Sequence, residues 1–320
     1  MEFTLAPGWT IRSAATVLVL RSEEMALSVS LPEGSAERVR ELLARGWIPD
    51  QDPSLEPLRV QLAERGAVRP RAPEVRAELE RQVEYWRALT DDPAAAIARV
   101  SCATVAIVGV GGIGSVVLQH LLGAGVERFR LLDADVVDST NLNRQFIYSA
   151  SEIGRRKVDA ARDYILQRDP SCQVEAIAAP WDIDSTEQRE LLIDGADFVI
   201  SAIDKPTMEA AVEVLDAAWL HCVPSIMATA GLRRSFVSPV FDIRQGSPHP
   251  RELLRTDEGD SAALLASHGP VNSLPAVLAA DQILHHLAGL HDFVEYGQAT
   301  VARWPSAGPL ALSRFAAVQL

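Results

Sequence analysis

The first residues that could do chemistry form a glycine-rich loop. An apolar run at residues 105–108 precedes four glycines, Gly109, Gly111, Gly112 and Gly114. This order predicts a strand, a tight turn whose backbone N–H groups can approach a phosphate, and a helix that begins at the turn. Asp133 follows at the distance where a carboxylate binds ribose hydroxyls. The loop therefore predicts a nucleotide site, although nicotinamide and flavin enzymes share the pattern and some glycine turns serve only packing.

Further polar and charged residues follow the loop in a fixed order. They are Asp133, Asp135, Asn141, Arg144, Gln145, Lys157 and, after a later apolar run, Asp204. This ordered series resembles the ThiF/MoeB family, the adenylating enzymes related to ubiquitin-activating enzymes. The resemblance covers about residues 80–300 and is most specific over residues 105–157.

The resemblance implies that ATP is bound by the glycine loop and by the polar residues after it. In that arrangement Asp133 holds the ribose hydroxyls, and Gln145 supports Arg144. The residues implied to bind the nucleotide are Gly109, Gly111, Gly112, Gly114, Asp133, Asp135, Asn141 and Gln145.

Four residues are implied to be catalytic: Arg144, Lys157, Asp204 and Arg87. A guanidinium and an ammonium suit the charge that spreads over phosphates as pyrophosphate leaves, so Arg144 and Lys157 are implied to contact the triphosphate together with Asn141. Asp204 ends a predicted strand and is implied to hold Mg²⁺, a hard ion that binds carboxylate and phosphate oxygens. The family also sends an arginine of an N-terminal helix into the partner subunit's site. Arg87 matches that place, which implies a homodimer; an exposed helical arginine is the alternative.

The predicted architecture is α/β, a Rossmann-like, doubly wound, mostly parallel sheet with a small N-terminal α+β winged-helix-like domain. Residues 1–72 are assigned to the small domain and residues 73–320 to the ATP-binding domain. Two strands and two helices are predicted in the small domain, at 16–20, 26–30, 36–45 and 55–65. Their order resembles the winged-helix peptide clamp of enzymes that modify ribosomal peptides, as in the MccB-like branch of the family. A dimerisation or packing module is the alternative.

Three departures from the family's common pattern restrict the chemistry. The three cysteines, Cys102, Cys172 and Cys222, form no Cys-x-x-Cys pair, so no zinc site is expected, and we expect mostly buried, reduced thiols with Cys222 in the core. Residues 223–320 contain no cysteine, which predicts adenylation without a thioester or persulfide step. Met208 stands near the place of a common family arginine.

The polar residues 245–270 are expected to cross over the substrate's C-terminal tail.

Composition excludes some classes of partner. The formal net charge of −13 argues against nucleic acid as the main partner. The N-terminus does not read as a signal peptide, and no apolar run is long enough to span a bilayer, so a cytoplasmic protein without membrane contact is predicted.

The predicted function is ATP-dependent activation of a carboxylate, with Mg²⁺, to an acyl-adenylate and pyrophosphate. The first substrate hypothesis is a ribosomally made peptide in natural-product biosynthesis, and the second is the C-terminal Gly-Gly of a ubiquitin-like sulfur carrier. A tRNA-modifying dehydratase, a non-catalytic leader-peptide scaffold and a nicotinamide dehydrogenase are the further alternatives.

Overall fold

The computed structural model describes residues 2–6, 8–14, 16–70, 75–203, 207–255, 267–316 and 318–319. The chain forms two compact units, Met1–Glu84 and Tyr85–Leu320. The boundary expected between residues 72 and 73 lies outside the described residues and stays a prediction. Within the described ranges, no helix is long and apolar enough to cross a membrane.

The first unit is a small α+β structure. Its elements in chain order are β1 (Phe3–Leu5), β2 (Thr10–Ala14), β3 (Val17–Arg21), β4 (Ala26–Ser30), α1 (Ser35–Arg45), α2 (Glu56–Glu64) and β5 (Val68–Pro70). Strands β2, β3 and β4 form an antiparallel sheet, and β1 pairs with β5. Leu18 and Leu20 of β3 are fully buried and share one core with the apolar faces of both helices. The unit therefore has a core of its own.

The second unit is the larger α/β structure, and α3 (Glu80–Arg87) leads into it. Its elements then run α4 (Pro93–Cys102), β6 (Thr104–Val108), α5 (Gly114–Gly123), β7 (Arg128–Leu132), α6 (Lys157–Arg168), β8 (Gln173–Ile177), α7 (Thr186–Leu192), β9 (Phe198–Ser201), α8 (Met208–Leu220), β10 (Ser225–Ala230), β11 (Arg234–Val237), α9 (Pro250–Leu253), β12 (Leu254–Arg255), α10 (Gly269–Leu287), β13 (Ala299–Arg303), β14 (Ala311–Phe315) and β15 (Val318–Gln319).

One eight-stranded sheet organises this unit. Its spatial order is β14-β13-β11-β10-β9-β6-β7-β8. The five strands from β10 to β8 are parallel, and the other three are antiparallel. Strands β6 and β9 are almost entirely buried, as expected for parallel strands covered on both faces. The predicted α/β, Rossmann-like fold is confirmed.

The chain crosses from one side of β6 to the other at a defined place. It adds β7 and β8 on one side of β6 and then returns to place β9 on the other side. In such sheets, ligands bind outside the carboxyl ends of the strands where the order reverses. The edge beyond β6, β7 and β9 is therefore the position where a site is expected.

Candidate active site

The ends of three parallel strands meet at one level. Val108, the last residue of β6, lies opposite Leu132 of β7 and Ser201 of β9. The backbone N–H of Gly109 donates to Leu132 O at 2.7 Å, and that of Ala202 donates to Val108 O at 2.8 Å. The glycine turn therefore starts between the segments that continue β7 and β9.

The glycine turn has no room for side chains at its first and last glycine. Gly109 has φ +93°, and a Cβ there would lie 2.7 Å from Ala202 O and 2.8 Å from Ile203 Cγ2. A Cβ at Gly114 would overlap Gly109 O. Because α5 begins at Gly114, the close approach directs the N-terminus of a ten-residue helix at the turn. This is the arrangement that binds phosphate groups.

Asp133 organises the same edge through both carboxylate oxygens. Its Oδ2 accepts from the backbone N–H of Val110 at 2.7 Å, and its Oδ1 accepts from that of Asp135 at 2.8 Å. Burial raises the pKa of the Asp133 carboxyl, while the Lys157 ammonium and the two N–H donors act in the opposite direction. The carboxylate is thus fixed in orientation, and each oxygen keeps a second lone pair for a hydroxyl donor.

Lys157 brings a buried ammonium to this edge. Its side chain is only 6% exposed, and Nζ donates to Asp135 Oδ2 at 2.7 Å. The partner carboxylate is 54% exposed, so water solvates one member of the pair. The backbone N–H of Lys157 also donates to Asp135 O at 3.0 Å, and this bond fixes the first residue of α6 beside Asp135.

Arg144, Gln145 and Asn141 lie in the loop between β7 and α6. Arg144 Nη1 donates to Thr140 O at 2.7 Å and to Asn143 Oδ1 at 2.9 Å. Asn141 is buried, and its Oδ1 accepts from the backbone N–H of Asp138, so part of this side chain holds the loop itself. The roles of these three residues toward a nucleotide stay predictions.

Gln145 brings a buried side-chain amide to the glycine turn. The residue is 2% exposed, and its Oε1 has no hydrogen-bond partner among the described residues. Its Nε2 lies 3.7 Å from the place of a Cβ on Gly111. An unsatisfied buried acceptor costs about 1–3 kcal/mol, so a bound donor there would be favourable. With the helix N-terminus and the lysine, this donor and acceptor set fits a nucleoside phosphate.

The metal ligand predicted at Asp204 lies outside the described residues. Met208 begins α8 just after that gap. Among the residues that the structure describes, no group of three or more His, Cys, Asp or Glu could hold a metal ion. The role of Asp204 as a Mg²⁺ ligand stays a prediction.

Two more predictions concern residues away from the turn. Arg87 is the last residue of α3, and its role in a partner's site stays a prediction. Residues 256–266, within the segment expected to cross the substrate's tail, lie outside the described ranges.

The prediction for the cysteines was wrong in two cases. Cys172 is buried, but Cys102 and Cys222 are exposed. Cys222 has φ +55°, in the turn after α8, and this turn keeps it out of the core that begins at Val223. The apolar pattern of the following strand predicted burial one residue too early.

Two residues of the site escaped the sequence analysis. The Tyr148 hydroxyl donates to Val110 O at 2.9 Å and lies 3.3 Å from Lys157 O, and burial raises its pKa. It therefore ties the glycine turn to the start of α6. Asn272 of α10 lies against Gly112. Tyr148, three residues after Gln145, could have been found from its closeness to the motif; Asn272 has no such local signal.

Comparison with known proteins agrees with this geometry. The model of the ThiF family matches residues 79–304. Molybdopterin-synthase adenylyltransferase of Salmonella typhimurium is 30% identical over 196 residues, covering 61% of this chain and 75% of that protein. Adenylyltransferase and sulfurtransferase UBA4 of Meyerozyma guilliermondii is 32% identical over 145 residues, covering 45% of this chain but only 32% of that protein.

Among solved structures, E. coli MccB with MccA-N7isoASN superposes with a TM-score of 0.69. The sequences are 19% identical, and the match covers 99% of this chain and 98% of the other. At this identity the likeness concerns the fold, and it extends over both compact units.

Proposed function

The chain belongs to the ThiF family of ATP-dependent adenylyltransferases, and we propose that its substrate is the carboxylate of a ribosomally made peptide. A carboxylate oxygen attacks the α-phosphorus of ATP, an acyl–phosphate bond forms, and pyrophosphate leaves. The observation that carries this proposal is the edge where the glycine turn, the oriented Asp133 carboxylate and the buried Lys157 ammonium come together.

The proposed binding mode follows from the donors and acceptors present. The turn and the N-terminus of α5 supply N–H groups for phosphate, and Asp133 supplies lone pairs for the ribose hydroxyls. Asn141 and Asp135 line the same loop region, and Gln145 Oε1 offers an acceptor to a donor of the nucleotide. No side-chain nucleophile is needed, because holding the carboxylate in line with the phosphorus supplies much of the rate.

Two cations are proposed to stabilise the transition state. Lys157 presents a point charge from a buried position, and Arg144 presents a planar fork that matches phosphate oxygens. When bound, Mg²⁺ would neutralise charge on the phosphates and favour pyrophosphate as a leaving group, with Asp204 as the proposed ligand. Arg87 of a partner subunit is proposed to add a further positive charge, which requires a homodimer.

The first unit supports a peptide as substrate. It is a compact α+β structure with its own core, and it precedes in sequence the unit that carries the glycine turn. We propose that this unit recognises the peptide. The absence of cysteine from residues 223–320 supports a reaction that ends at the adenylate, without sulfur transfer through a thiol of that region.

A sulfur-carrier protein is the second candidate substrate. The name of the UBA4 relative joins adenylyltransferase to sulfurtransferase, and this favours an acceptor that receives sulfur after activation. A non-catalytic scaffold is disfavoured, because a protein that only presents a peptide has no need for a buried lysine charge beside a phosphate-binding turn. The net charge of −13 disfavours tRNA.

Release of pyrophosphate distinguishes the substrates. The full chain is incubated with Mg·ATP and either a short ribosomal-type peptide with a free C-terminus, a small carrier ending in Gly-Gly, or tRNA. We expect pyrophosphate release with the peptide and with neither of the other two acceptors. When hydroxylamine is present, the activated carboxyl should be recovered as a hydroxamate. Release only with the carrier would replace the peptide proposal by the second candidate. ATP binding without release for any acceptor would favour the scaffold.

A pair of arginine variants controls this experiment. Arg144→Ala should reduce pyrophosphate release by about 100-fold or more, the scale of losing one transition-state donor. Arg162→Ala serves as the matched control, because Arg162 is a half-exposed residue of α6 that pairs with Asp159 at the surface. Equal loss in both variants would mean that the effect is one of net charge and would contradict the role of Arg144.

A further inference from the structure

The guanidinium of Arg144 is held from one side by the loop that carries it. Nη1 donates to Thr140 O at 2.7 Å and to Asn143 Oδ1 at 2.9 Å. The first partner is a backbone group of the same turn, but the second is a side chain that must itself be held. The position of the charge therefore depends on what fixes Asn143.

Asn143 is linked to a distant part of the chain. Its Nδ2 donates to Ser267 O at 3.5 Å, and its backbone oxygen lies 3.2 Å from the place of a Cβ on Gly269. Ser267 and Gly269 bracket the start of α10, more than 120 residues later. Asn143, the residue next to Arg144, therefore contacts the start of α10.

Asn272 completes the connection from the first turn of α10. Its Nδ2 donates to Ser267 Oγ and to His268 O, both at 2.9 Å, and the residue is 8% exposed. A Cβ on Gly112 would overlap its Oδ1 and would lie 3.4 Å from Arg144 Cδ. Gly112 therefore sits between the amide of Asn272 and the stem of Arg144.

These contacts form a closed ring that joins the glycine turn, Arg144 and the start of α10. We propose that Asn143 and Asn272 are positioning residues that fix the Arg144 guanidinium through Ser267, and this inference rests on the proposed function of Arg144. Asn143 accepts from Arg144 and donates to Ser267, and Asn272 donates to both Ser267 and His268. An aspartate at either position could only accept. The ring makes the entry into α10 part of the catalytic edge.

The ring has a kinetic consequence. An arginine side chain loses about 2 kcal/mol of rotamer entropy when it is held in one conformation, and the ring makes that ordering part of folding. If the ring is broken, the arginine must lose this rotamer entropy when the transition state forms, and the activation barrier rises. We expect Asn272→Ala to reduce kcat for pyrophosphate release by about 10- to 30-fold, the factor that corresponds to this energy. The affinity for ATP should change by less than about threefold, since the turn keeps its own donors.

A double-mutant cycle separates positioning from simple damage. In single-turnover measurements with the full chain, Asn272→Ala should add less than about twofold to the loss already caused by Arg144→Lys, because both changes disable one unit. Gln282→Ala is the matched control, since Gln282 also makes hydrogen bonds from α10 but at its other end, to Phe293 O and from the backbone N–H of Glu295. Losses that multiply in the cycle, or an equal loss in the control, would overturn the proposal.

A second readout does not depend on any acceptor. Phenylglyoxal modifies exposed, mobile arginines, and mass spectrometry reports its rate at each site. We expect Asn272→Ala to raise the rate at Arg144 about fivefold or more, with Arg162 unchanged and with no change at Arg144 in Gln282→Ala. An unchanged rate at Arg144 overturns the ring, even if the enzyme is active. A raised rate without activity for any carboxylate supports the ring and contradicts the proposed function instead.

Discussion

Alanine at Gly109 should damage the nucleotide site more than any exposed glycine replacement. The residue has φ +93°, where an L side chain is strained by about 1–3 kcal/mol. The added Cβ would also meet Ala202 O at 2.7 Å and Ile203 Cγ2 at 2.8 Å. Since ordinary contacts need about 3.5 Å, the turn must move by about 1 Å, at a further cost of about 1–3 kcal/mol.

Displacement of the turn should lower the affinity for ATP. The moved segment carries the Val110 N–H that donates to Asp133 and the turn N–H groups that are proposed to bind phosphate. Hydrogen bonds to charged groups are worth about 1.5–3 kcal/mol each, so losing one of them weakens binding by about 10- to 100-fold. The free energy of unfolding should fall by about 2–6 kcal/mol, the sum of strain and contact costs.

Gly195→Ala is the matched control for backbone strain. Gly195 has φ +70°, lies before β9 at the opposite end of the sheet, and leaves open space within 4 Å of an added Cβ. It should lose stability through strain alone and bind ATP as the unchanged protein does. Thermal unfolding measures the stability of both variants, and titration calorimetry measures their affinity for Mg·ATP. Wild-type ATP affinity in Gly109→Ala would refute the assignment of the turn.

Three more perturbations have outcomes fixed by the structure. Asp133→Asn replaces one of two acceptors by a donor that faces a backbone N–H, so ATP affinity, measured by calorimetry, should fall at least about tenfold; unchanged affinity would contradict the role of Asp133. Lys157→Met leaves a mostly exposed Asp135 carboxylate, so the free energy of unfolding should change by less than about 1 kcal/mol while kcat falls about 100-fold, and a reverse pattern would make Lys157 structural. Burial lowers the pKa of His286 to about 4 from an ordinary 6.5, so the unfolded chain binds a proton more readily and stability should fall as pH drops from about 6.5 to about 4. This pKa difference corresponds to about 3 kcal/mol of unfolding free energy. Denaturant unfolding of His286→Gln should therefore show a smaller change of unfolding free energy with pH over that range. An identical change would exclude His286 as the cause.

The core of the fold was predictable because its signals are local. Buried parallel strands are continuous apolar runs, and the glycines that follow β6 leave few alternatives for the turn. In the first unit, β2 was missed, because Thr10–Ala14 alternates between exposed and half-buried residues without a strong apolar pattern. Its strand conformation comes from pairing with β3, and this pairing is not visible in the local sequence pattern.

The site was predictable only as far as its motif extends. The glycines and Asp133 were predicted by type and spacing, and Lys157 through the family resemblance. The structure places them at one edge of the sheet, and their roles toward a nucleotide stay predictions. Asn272 was not found, because its contact with Gly112 joins residues 160 positions apart and depends on how α10 packs on α5. Cys222 shows the opposite error, where a strand pattern was extended into a turn.

Oxygen-isotope transfer reports directly on whether a peptide carboxylate attacks the α-phosphorus of ATP at this site. A peptide labelled with ¹⁸O in its C-terminal carboxylate is incubated with the full chain, Mg·ATP and hydroxylamine, and the AMP is examined by mass spectrometry. We expect one ¹⁸O atom in AMP and a peptide hydroxamate, both lost in Arg144→Ala. AMP without ¹⁸O, or ADP as the product, would contradict this attack.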